Sequence, residues 1–561
     1  MTASGTSAGD VVNNGQILAR NGDVVMIGRS ITNNGRVAAP SGKVSLQAAN
    51  KVLLAKVGGL GDVYVEVSTD KAGETSGDVT NKGVISAVAV ALNAAHGDVY
   101  ALAGNQGGMI TATGTKTVNG QVYLTAGEGT VDVTEKVTAR DKNGTGGVII
   151  ANGHGVTIGK TARVDAGGVS GGRVLLGTSA PGGHDLAESL KITTGATILA
   201  GGKAGGGDIE TSAHHAEIGA ATVEAGKAGQ WLVDPDDLII DSNAASSIQT
   251  SLNSGTNVTE ATTASATSGA GTSQSGEGDI DVNSAITWTG TGTLTLNAYQ
   301  NIVLNAAISN NGGGSTTLNA GGNFINNAGA SALQGAWLVY STNPASDTDD
   351  GLAPQFYQYD APIGTTPAKS GATGFLYSRA PSLSVALSGT VAKIYDGTTA
   401  VTSNDGANQT FSSANATVTG LVNNDTATVA GVYAQSDVGT GINVTADDIE
   451  ITHAGVPVYG YGGTTPSVTA AIGEINPRQL TATMVGNPTK VYNGTTMVAL
   501  TSANYDVSGF VPGQGATVTQ AATFAYARYG SGLSAGCSPA AIRVSCTCYY
   551  ACSHYGRARG R

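Results

Sequence analysis

The strongest constraint on this chain is that it repeats itself. The segment Asn13–Ile17 (NNGQI) recurs twenty residues later as Asn33–Val37 (NNGRV), and a looser copy stands at Asn81–Ile85 (NKGVI). A repeat of about 20 residues is typical of a solenoid, in which each repeat buries its apolar face against the next one. A second pattern, glycine followed by alternating apolar residues, begins at Gly22, Gly42, Gly61, Gly97, Gly120, Gly146, Gly171, Gly207, Gly292 and Gly313.

Each copy of the second pattern predicts a short strand. Val63, Val65 and Val67, for example, would lie on one face because side chains alternate along a strand. The flanking Asn-Gly and Gly-Gly pairs predict tight corners, for which glycine would supply positive φ angles. The sequence therefore predicts an all-β protein built on a right-handed parallel β-helix, with stacked asparagine side chains forming amide ladders at the corners.

Composition narrows the function classes. Charged residues make up only 12% of the chain and aromatic residues 5%, with 83 glycines, which is unlike an ordinary globular enzyme. The net charge of −12 argues against nucleic acid as a partner, because phosphate contacts need clustered Lys and Arg. No apolar run is long enough for a transmembrane helix, and the first residues, MTASGTSAGD, do not resemble a signal peptide.

Changes of composition and repeat pattern along the chain predict the domain boundaries. The β-helix stalk is expected over residues 1–240 and again over 279–345. Between them, 241–278 is rich in Ser, Thr, Ala and Gly and is interpreted as a flexible linker or excursion. Residues 346–382, rich in Pro and Tyr, are interpreted as a connector.

Two related modules follow the connector. Lys393–Thr399 (KIYDGTT) recurs as Lys490–Thr496 (KVYNGTT), and short Val/Thr/Tyr-rich strands surround both copies. This texture predicts tandem small β-sandwich-like modules, a first over 383–478 and a truncated second over 479–533.

The last segment, 534–561, breaks with the rest of the chain. It holds all four cysteines (Cys537, Cys546, Cys548 and Cys552) and four arginines but no acidic residue. The simultaneous change in charge, cysteine use and repeat is typical of a shifted reading frame. The alternative is a metal or redox tail, although the spacing of Cys546, Cys548, Cys552 and His554 matches none of the usual zinc patterns.

Several segments resemble one family. Residues 13–28 and 33–50 resemble the end of the secretion-type domain of filamentous-haemagglutinin-like exoproteins of two-partner secretion systems. WLVDPDDLIID, from Trp231, is similar to a signature of that family, and Gly335–Pro381 resembles the junction before its terminal modules. The KIYDGTT and KVYNGTT segments are similar to its YDG (MBG-type) repeats. The resemblance covers about residues 1–530.

The resemblance implies a secreted or surface-displayed bacterial adhesin with a β-helical stalk. Its partners would be an outer-membrane two-partner secretion transporter and a glycan or protein on a host or neighbouring cell, with no nucleic acid and no transmembrane helix. The family's N-terminal signal and Asn-Pro-Asn-Gly motifs are missing from this sequence, so it is expected to be a fragment.

Candidate catalytic motifs are weak. G-x-S-x-G occurs at Gly5–Gly9 and Gly168–Gly172, but neither copy is followed by the helix that a nucleophile elbow needs. Gly155–Thr161 ends like a phosphate loop, yet its first glycine is one residue too close. We therefore expect no enzyme, no cofactor and no catalytic residue.

Candidate metal ligands are also weak. Adjacent His214 and His215 would point to opposite faces of a strand, so they are not expected to chelate one ion. Paired aspartates raise the question of calcium, but no calcium-binding repeat accompanies them, and surface carboxylates are the simpler interpretation. These pairs are Asp236–Asp237, Asp349–Asp350 and Asp447–Asp448.

Two alternatives to an adhesin stay open at this point. A β-helical polysaccharide lyase or hydrolase would need carboxylates converging in a lateral groove. A non-functional, truncated gene product would be expected to aggregate through uncapped ends of the coil.

Overall fold

The computed structural model is all-β, and its described part contains one α-helix, Ser242–Asn253. No helix in that part is both long and apolar enough to cross a bilayer. The described residues are 9–49, 52–57, 62–67, 77–95, 99–101, 109–113, 120–140, 144–180, 186–262, 278–371, 373–401, 415–462, 467–486, 488–491, 493–518, 521–524, 537–538 and 544–546.

The chain divides into two compact units. The first is Met1–Ala380 together with Val458–Gly460, and the second is Pro381–Pro457 together with Tyr461–Arg561.

In the first unit the chain visits three stacks of parallel strands in turn. Val11–Asn13 lies in the first stack, Gln16–Leu18 in the second and Val24–Gly28 in the third, and the cycle begins again at Ile31–Asn33. Arg36–Ala48 is long enough to belong to both the second and the third stack.

The strands of the first stack are Val11–Asn13, Ile31–Asn33, Val79–Asn81, Val99–Ala101, Thr130–Val133, Gly155–Ile158, Ala187–Ile192 and Ala213–Ile218, and after a break Leu238–Ile240, Ile280–Val282, Ile302–Leu304 and Phe324–Asn326. The strands of the second stack are Gln16–Leu18, Arg36–Ala48, Val84–Ala94, Met109–Thr113, Lys136–Arg140, Arg163–Asp165, Thr197–Leu199 and Thr222–Glu224, and after a break Ile286–Trp288, Ile308–Asn310 and Leu333–Gln334. The third stack contains Val24–Gly28, Arg36–Ala48, Val84–Ala94, Gln121–Thr125, Val148–Asn152, Arg173–Leu176, Asp208–Thr211, Gln230–Val233, Asn257–Ala261, Leu294–Ala298, Thr316–Ala320, Trp337–Ser341 and Gly374–Tyr377.

The shortest turns repeat the register every 20 to 22 residues. Val11 pairs with Ile31, twenty residues later, and Ile280 pairs with Ile302, twenty-two residues later. Longer intervals mark insertions, as between Asn33 and its partner Asn81. Because alternate side chains point inward, Leu46, Leu92 and Leu124 form part of one buried column in the third stack.

The predicted asparagine ladder is confirmed at the first corner. The Asn13 side-chain amide donates to Asn33 Oδ1 at 2.8 Å, and the Asn33 amide donates to Asn81 Oδ1 at 2.7 Å. The Asn81 amide ends the row by donating to the Gly83 carbonyl at 3.0 Å. All three side chains are buried, so each satisfies polar groups that water cannot reach.

The predicted reason for the corner glycines is wrong at these positions. Gly15, Gly35 and Gly83 are absent from the residues with positive φ. A Cβ built on Gly35 would instead lie under 3.0 Å from the Gly15 carbonyl oxygen, and one on Gly83 would meet the Gly35 carbonyl in the same way. Glycine is required at Gly35 and Gly83 because consecutive turns approach too closely for a side chain, whereas nothing lies within 4 Å of the Cβ position of Gly15.

Two of the predicted strand copies lie elsewhere than expected. The copy from Gly61 forms Asp62–Val67, which pairs antiparallel with Val52–Val57 in a hairpin instead of joining a stack. The copy from Gly97 forms Val99–Ala101 in the first stack. At the same level of the third stack lies the end of Val84–Ala94, which is not one of the predicted copies. Alternation predicts a strand but does not select its partner.

The flexible-linker interpretation of 241–278 is wrong for its first part. Ser242–Asn253 is a helix, capped by Asp241 Oδ1, which accepts from the backbone of Asn243 and Ala244 at 2.9 Å each. Asn257–Ala261 is a strand of the third stack, and residues 263–277 lie outside the described residues. The helix escaped prediction because its buried stripe consists largely of Ala and Ser.

This helix replaces one strand of the second stack. Two serines on its buried face bond backbone carbonyls at the edge of the preceding turn. Ser247 Oγ donates to Gly219 O at 2.8 Å, and Ser251 Oγ donates to Val223 O in the strand Thr222–Glu224. On the other side, Asn253 Oδ1 accepts from the backbone of Thr289 at 2.9 Å. Side chains thus supply the hydrogen bonds that a strand backbone would otherwise provide.

The connector 346–382 also contains strands. Gly374–Tyr377 pairs in parallel with Trp337–Ser341 and extends the third stack, and Phe356–Gln358 pairs with Gly374–Tyr377. Aromatic side chains fill this region: the Trp337 and Phe375 rings are 5.4 Å apart, edge to face.

The second unit is largely antiparallel. Gly439–His453 pairs with Thr426–Tyr433 on one side and with Val468–Asn476 on the other, over a core that includes Val429, Tyr433 and Val444. The remaining elements are Ser384–Leu387, Val391–Ile394, Ala416–Thr419, Val456–Tyr459, Thr481–Met484, Met497–Ala499, Tyr505–Ser508, Ala516–Val518, Ala521–Phe524, Cys537–Ser538 and Val544–Cys546, with 3₁₀ turns at Pro344–Ser346 (first unit) and Ser502–Asn504.

We expect Gly35→Ala to destabilise the first turns by about 1–3 kcal/mol, because the new Cβ overlaps the Gly15 carbonyl. Gly15→Ala is the matched control, since nothing lies within 4 Å of its Cβ position. Hydrogen exchange of residues 31–37 and 79–85 measures the difference. Equal protection in the two variants would contradict the close-approach explanation.

Candidate functional site

The first stack is interrupted next to the helix. Ala213–Ile218 and Leu238–Ile240 belong to separate sheets, whereas the third stack runs on through Gln230–Val233 and Asn257–Ala261. The interruption leaves a cavity of about 390 Å³. Its volume is within the range of small-molecule sites.

The cavity wall combines apolar and polar side chains. The strands on either side of the interruption contribute Ile192, Ile218, Leu238 and Ile240, and the helix contributes Ile248. Trp231 is fully buried beneath them, and its indole N–H donates to Thr211 Oγ1 at 2.9 Å. At the surface end, Lys191 Nζ pairs with Glu217 at 2.7 Å.

Glu260 is a buried carboxyl in this wall. It lies in an inward-facing column of the third stack, directly between Val233 and Leu296, and is 1% exposed. Its Oε1 has no hydrogen-bond partner among the described residues. Burial raises the pKa of Glu260 from 4.5 to about 8, because the charged form loses its hydration there.

The two histidines contact different carboxylates. His214 Nδ1 lies 3.3 Å from Asp236 Oδ1, and His215 Nε2 lies 3.9 Å from Glu188 Oε1. The structure therefore does not bring the pair together on one ligand.

The aspartate pairs have local partners. Asp237 Oδ1 accepts from the backbone of Gly278 at 2.7 Å and of Asp279 at 3.1 Å, and Asp349 Oδ1 accepts from Gly351 at 3.5 Å. Asp447 and Asp448 line a second cavity of about 180 Å³. Across the described parts of the chain, no three His, Cys, Asp or Glu side chains are grouped so that they could hold a metal ion.

The motif residues lie on strands and loops. Ser170 stands in the loop between Arg163–Asp165 and Arg173–Leu176, and Gly155–Ile158 is a strand followed by a turn. Ser7, Cys548, Cys552 and His554 lie outside the described residues.

In the second unit, Lys393 explains the K-x-Y-D-G-T-T pattern. Its side chain is 2% exposed, and Nζ donates to Asp396 Oδ1 at 2.8 Å, Thr398 O at 2.7 Å and Ala400 O at 2.9 Å. The ammonium also lies 5.1 Å from the centre of the Tyr433 ring. One lysine thus closes the whole turn.

The second copy repeats these bonds. Lys490 Nζ donates to Asn493 Oδ1 at 2.9 Å and to the carbonyls of Thr495 and Met497. Gly397 and Gly494 have φ of 75° and 76°, so glycine is needed at this place for its backbone conformation. The recurring residues therefore have a structural role.

Sequence reasoning singled out neither Glu260 nor the cavity. The available signal was the alternation in Asn257–Ala261 (NVTEA), which places a carboxyl on the same face as Val258. The surrounding Ser/Thr-rich composition concealed that strand.

Glu260 binds a proton more tightly in the folded chain than in the unfolded chain. The loss of folding stability that it causes is therefore absent below pH 4.5 and grows as the pH rises to about 8. We expect Glu260→Leu to unfold at a higher temperature than the parent chain, by a margin that widens with pH between 5 and 8. The difference in unfolding free energy between the two proteins should change by at most about 1.4 kcal/mol per pH unit. Thermal unfolding of both proteins across this range, with Glu217→Leu at the surface end as the control, measures it. A pH-independent difference would contradict the buried, protonated carboxyl.

Lys393→Met is expected to cost about 3–5 kcal/mol, because it removes a buried cation and leaves Asp396 and the Thr398 and Ala400 carbonyls without their partner. Lys490→Met makes the same change at a more exposed site and should cost about 0–1 kcal/mol. Denaturant unfolding of each variant, with hydrogen exchange monitored in the second unit, compares the two losses of stability. Equal losses would show that burial of Lys393 does not set its contribution.

Comparison of the chain with known protein families gives a match that lies mostly in this second unit. The family model of the YDG domain matches residues 379–459, a stretch that includes the Lys393–Thr399 turn. The resemblance to YDG repeats is thereby confirmed for that stretch. No curated protein matches the chain.

Proposed function

We propose that the stacked strands of the first unit form a right-handed parallel β-helix. Support comes from the parallel registers, which advance by 20 or 22 residues in the regular turns, and from the order in which the chain visits the three stacks. Right-handedness follows from the strong preference for that hand in parallel crossovers.

This β-helix would be the structural stalk of a secreted or surface-displayed bacterial adhesin of the filamentous-haemagglutinin-like, two-partner secretion type. The observation that carries the proposal is the combination of stacked parallel turns with a YDG domain at 379–459. The family-like motifs precede that domain in the expected order. A two-partner secretion transporter would export the protein.

The adhesive surface would lie on one insertion between turns. The longest interval before residue 100 separates Asn33 from Asn81, and the residues at its ends remain close together. Ala49 N donates to Gly28 O at 3.1 Å, and Gly77 N donates to Arg29 O at 2.7 Å. Consecutive residues of the preceding turn thus hold both ends of the insertion, so it can vary without disturbing the stack.

The experiment measures binding of the purified chain to cultured cells and to an array of glycans, with and without the insertion. Joining Ala49 directly to Asp78 restores the 20-residue spacing of the preceding turn, so the excised protein should keep its fold. We expect saturable binding by the whole chain and at least a tenfold loss after excision.

The matched control shortens another insertion. Replacing residues 263–277 with one glycine gives the 22-residue spacing of the next turns and should leave binding unchanged. Binding that survives the first excision would place adhesion elsewhere. Cleavage of an array glycan would favour the β-helical carbohydrate-active enzyme, and a soluble, folded chain that binds nothing would contradict the adhesin.

A further inference from the structure

We propose that the cavity beside the helix Ser242–Asn253 is a binding site for a small apolar amine, whose ammonium group is received by Glu260. The site is independent of the adhesin proposal, because it lies inside the first unit and not on an insertion.

The cavity results from an interruption that the fold has built around. At the same level of the coil, the second stack is bridged by a helix whose Ser247, Ser251 and Asn253 bond the free strand edges. The first stack has no such replacement between Ile218 and Leu238, and space remains there. If the helix served only to complete the packing, we would expect the first stack to be filled at this level as well as the second.

Glu260 is the feature that points to a ligand. The positions in register with it on neighbouring turns are Thr211, Val233, Leu296 and Leu318, so an apolar residue fits this column. A buried carboxyl with a free oxygen destabilises the fold unless something pairs with it. The carboxyl therefore costs stability that a bound partner would offset.

The wall decides the chemistry of that partner. The Trp231 N–H is bonded to Thr211 and so offers a ligand no hydrogen bond, and Thr193, Thr194 and Asn243 are the neutral polar residues of the wall. Ile192, Ile240 and Ile248 offer an apolar surface instead. A molecule with an apolar body and one ammonium group satisfies both the apolar wall and Glu260. The carboxyl releases its proton to solvent as the ammonium enters, and the ion pair then forms in a region of low dielectric constant.

The surface end is consistent with a cationic ligand. Lys191 is held by Glu217 at 2.7 Å, so its charge is compensated beside the cavity. Asp241 lines the same end and caps the helix. An approaching amine would thus meet two carboxylates and one paired lysine.

The test uses the full chain with 2-phenylethylamine as the probe and 2-phenylethanol, which has the same shape but no charge, as its control. Calorimetry measures affinity, and Trp231 in the wall provides a fluorescence signal. We expect the amine to bind at least tenfold more tightly than the alcohol. Glu260→Gln, which preserves side-chain size, should lower amine affinity at least tenfold and change alcohol affinity little.

A second variant tests the cavity without touching the carboxyl. Ala244→Leu, on the wall contributed by the helix, should weaken both probes by occupying space. If Glu260→Gln does not fold, the amine-to-alcohol ratio of the parent chain and the effect of Ala244→Leu decide the matter. Equal affinities of the two probes, amine binding unaffected by Glu260→Gln or Ala244→Leu, or no binding up to millimolar concentration would overturn the proposal.

Discussion

Backbone hydrogen bonding between one turn of the chain and the next is the interaction on which the first unit depends. Each strand has its partner about 20 residues away in the regular turns, and the strand register keeps inward residues aligned even where the interval is longer. The other features serve this stacking. Asn33 satisfies polar groups at the corner, Gly35 allows the turns to approach, and longer segments leave between strands without altering the register.

The level of the helix Ser242–Asn253 shows what happens when stacking is interrupted. In the second stack, serine and asparagine side chains replace the missing backbone partners. In the first stack the interruption stays open and exposes a cavity in front of Glu260. The same constraint therefore accounts for the regular part of the unit and for the interruption beside Glu260.

Much of the first unit could be predicted because periodicity is written directly in the sequence: the all-β class and the Asn13–Asn33–Asn81 ladder both follow from it. Strand partners could not, since the alternation at Gly61 and Gly97 is the same for a hairpin and for either stack. The helix was missed because small residues form its buried stripe. The Glu260 site could not be predicted without the strand register, because its neighbours in the column lie on turns up to two away.

The most direct measurement of the stacking is a pair of spin-label distances along the first stack. Thr32 is four strand spacings from Thr157 and five from Lys191, which gives about 19 Å and 24 Å at ~4.8 Å per spacing. Cysteines at these positions, in a chain whose native cysteines are replaced by serine, carry the labels. The account predicts the two distances and their increment of about 5 Å. Distances that do not increase from Thr157 to Lys191, or that exceed 35 Å, would contradict stacked parallel turns.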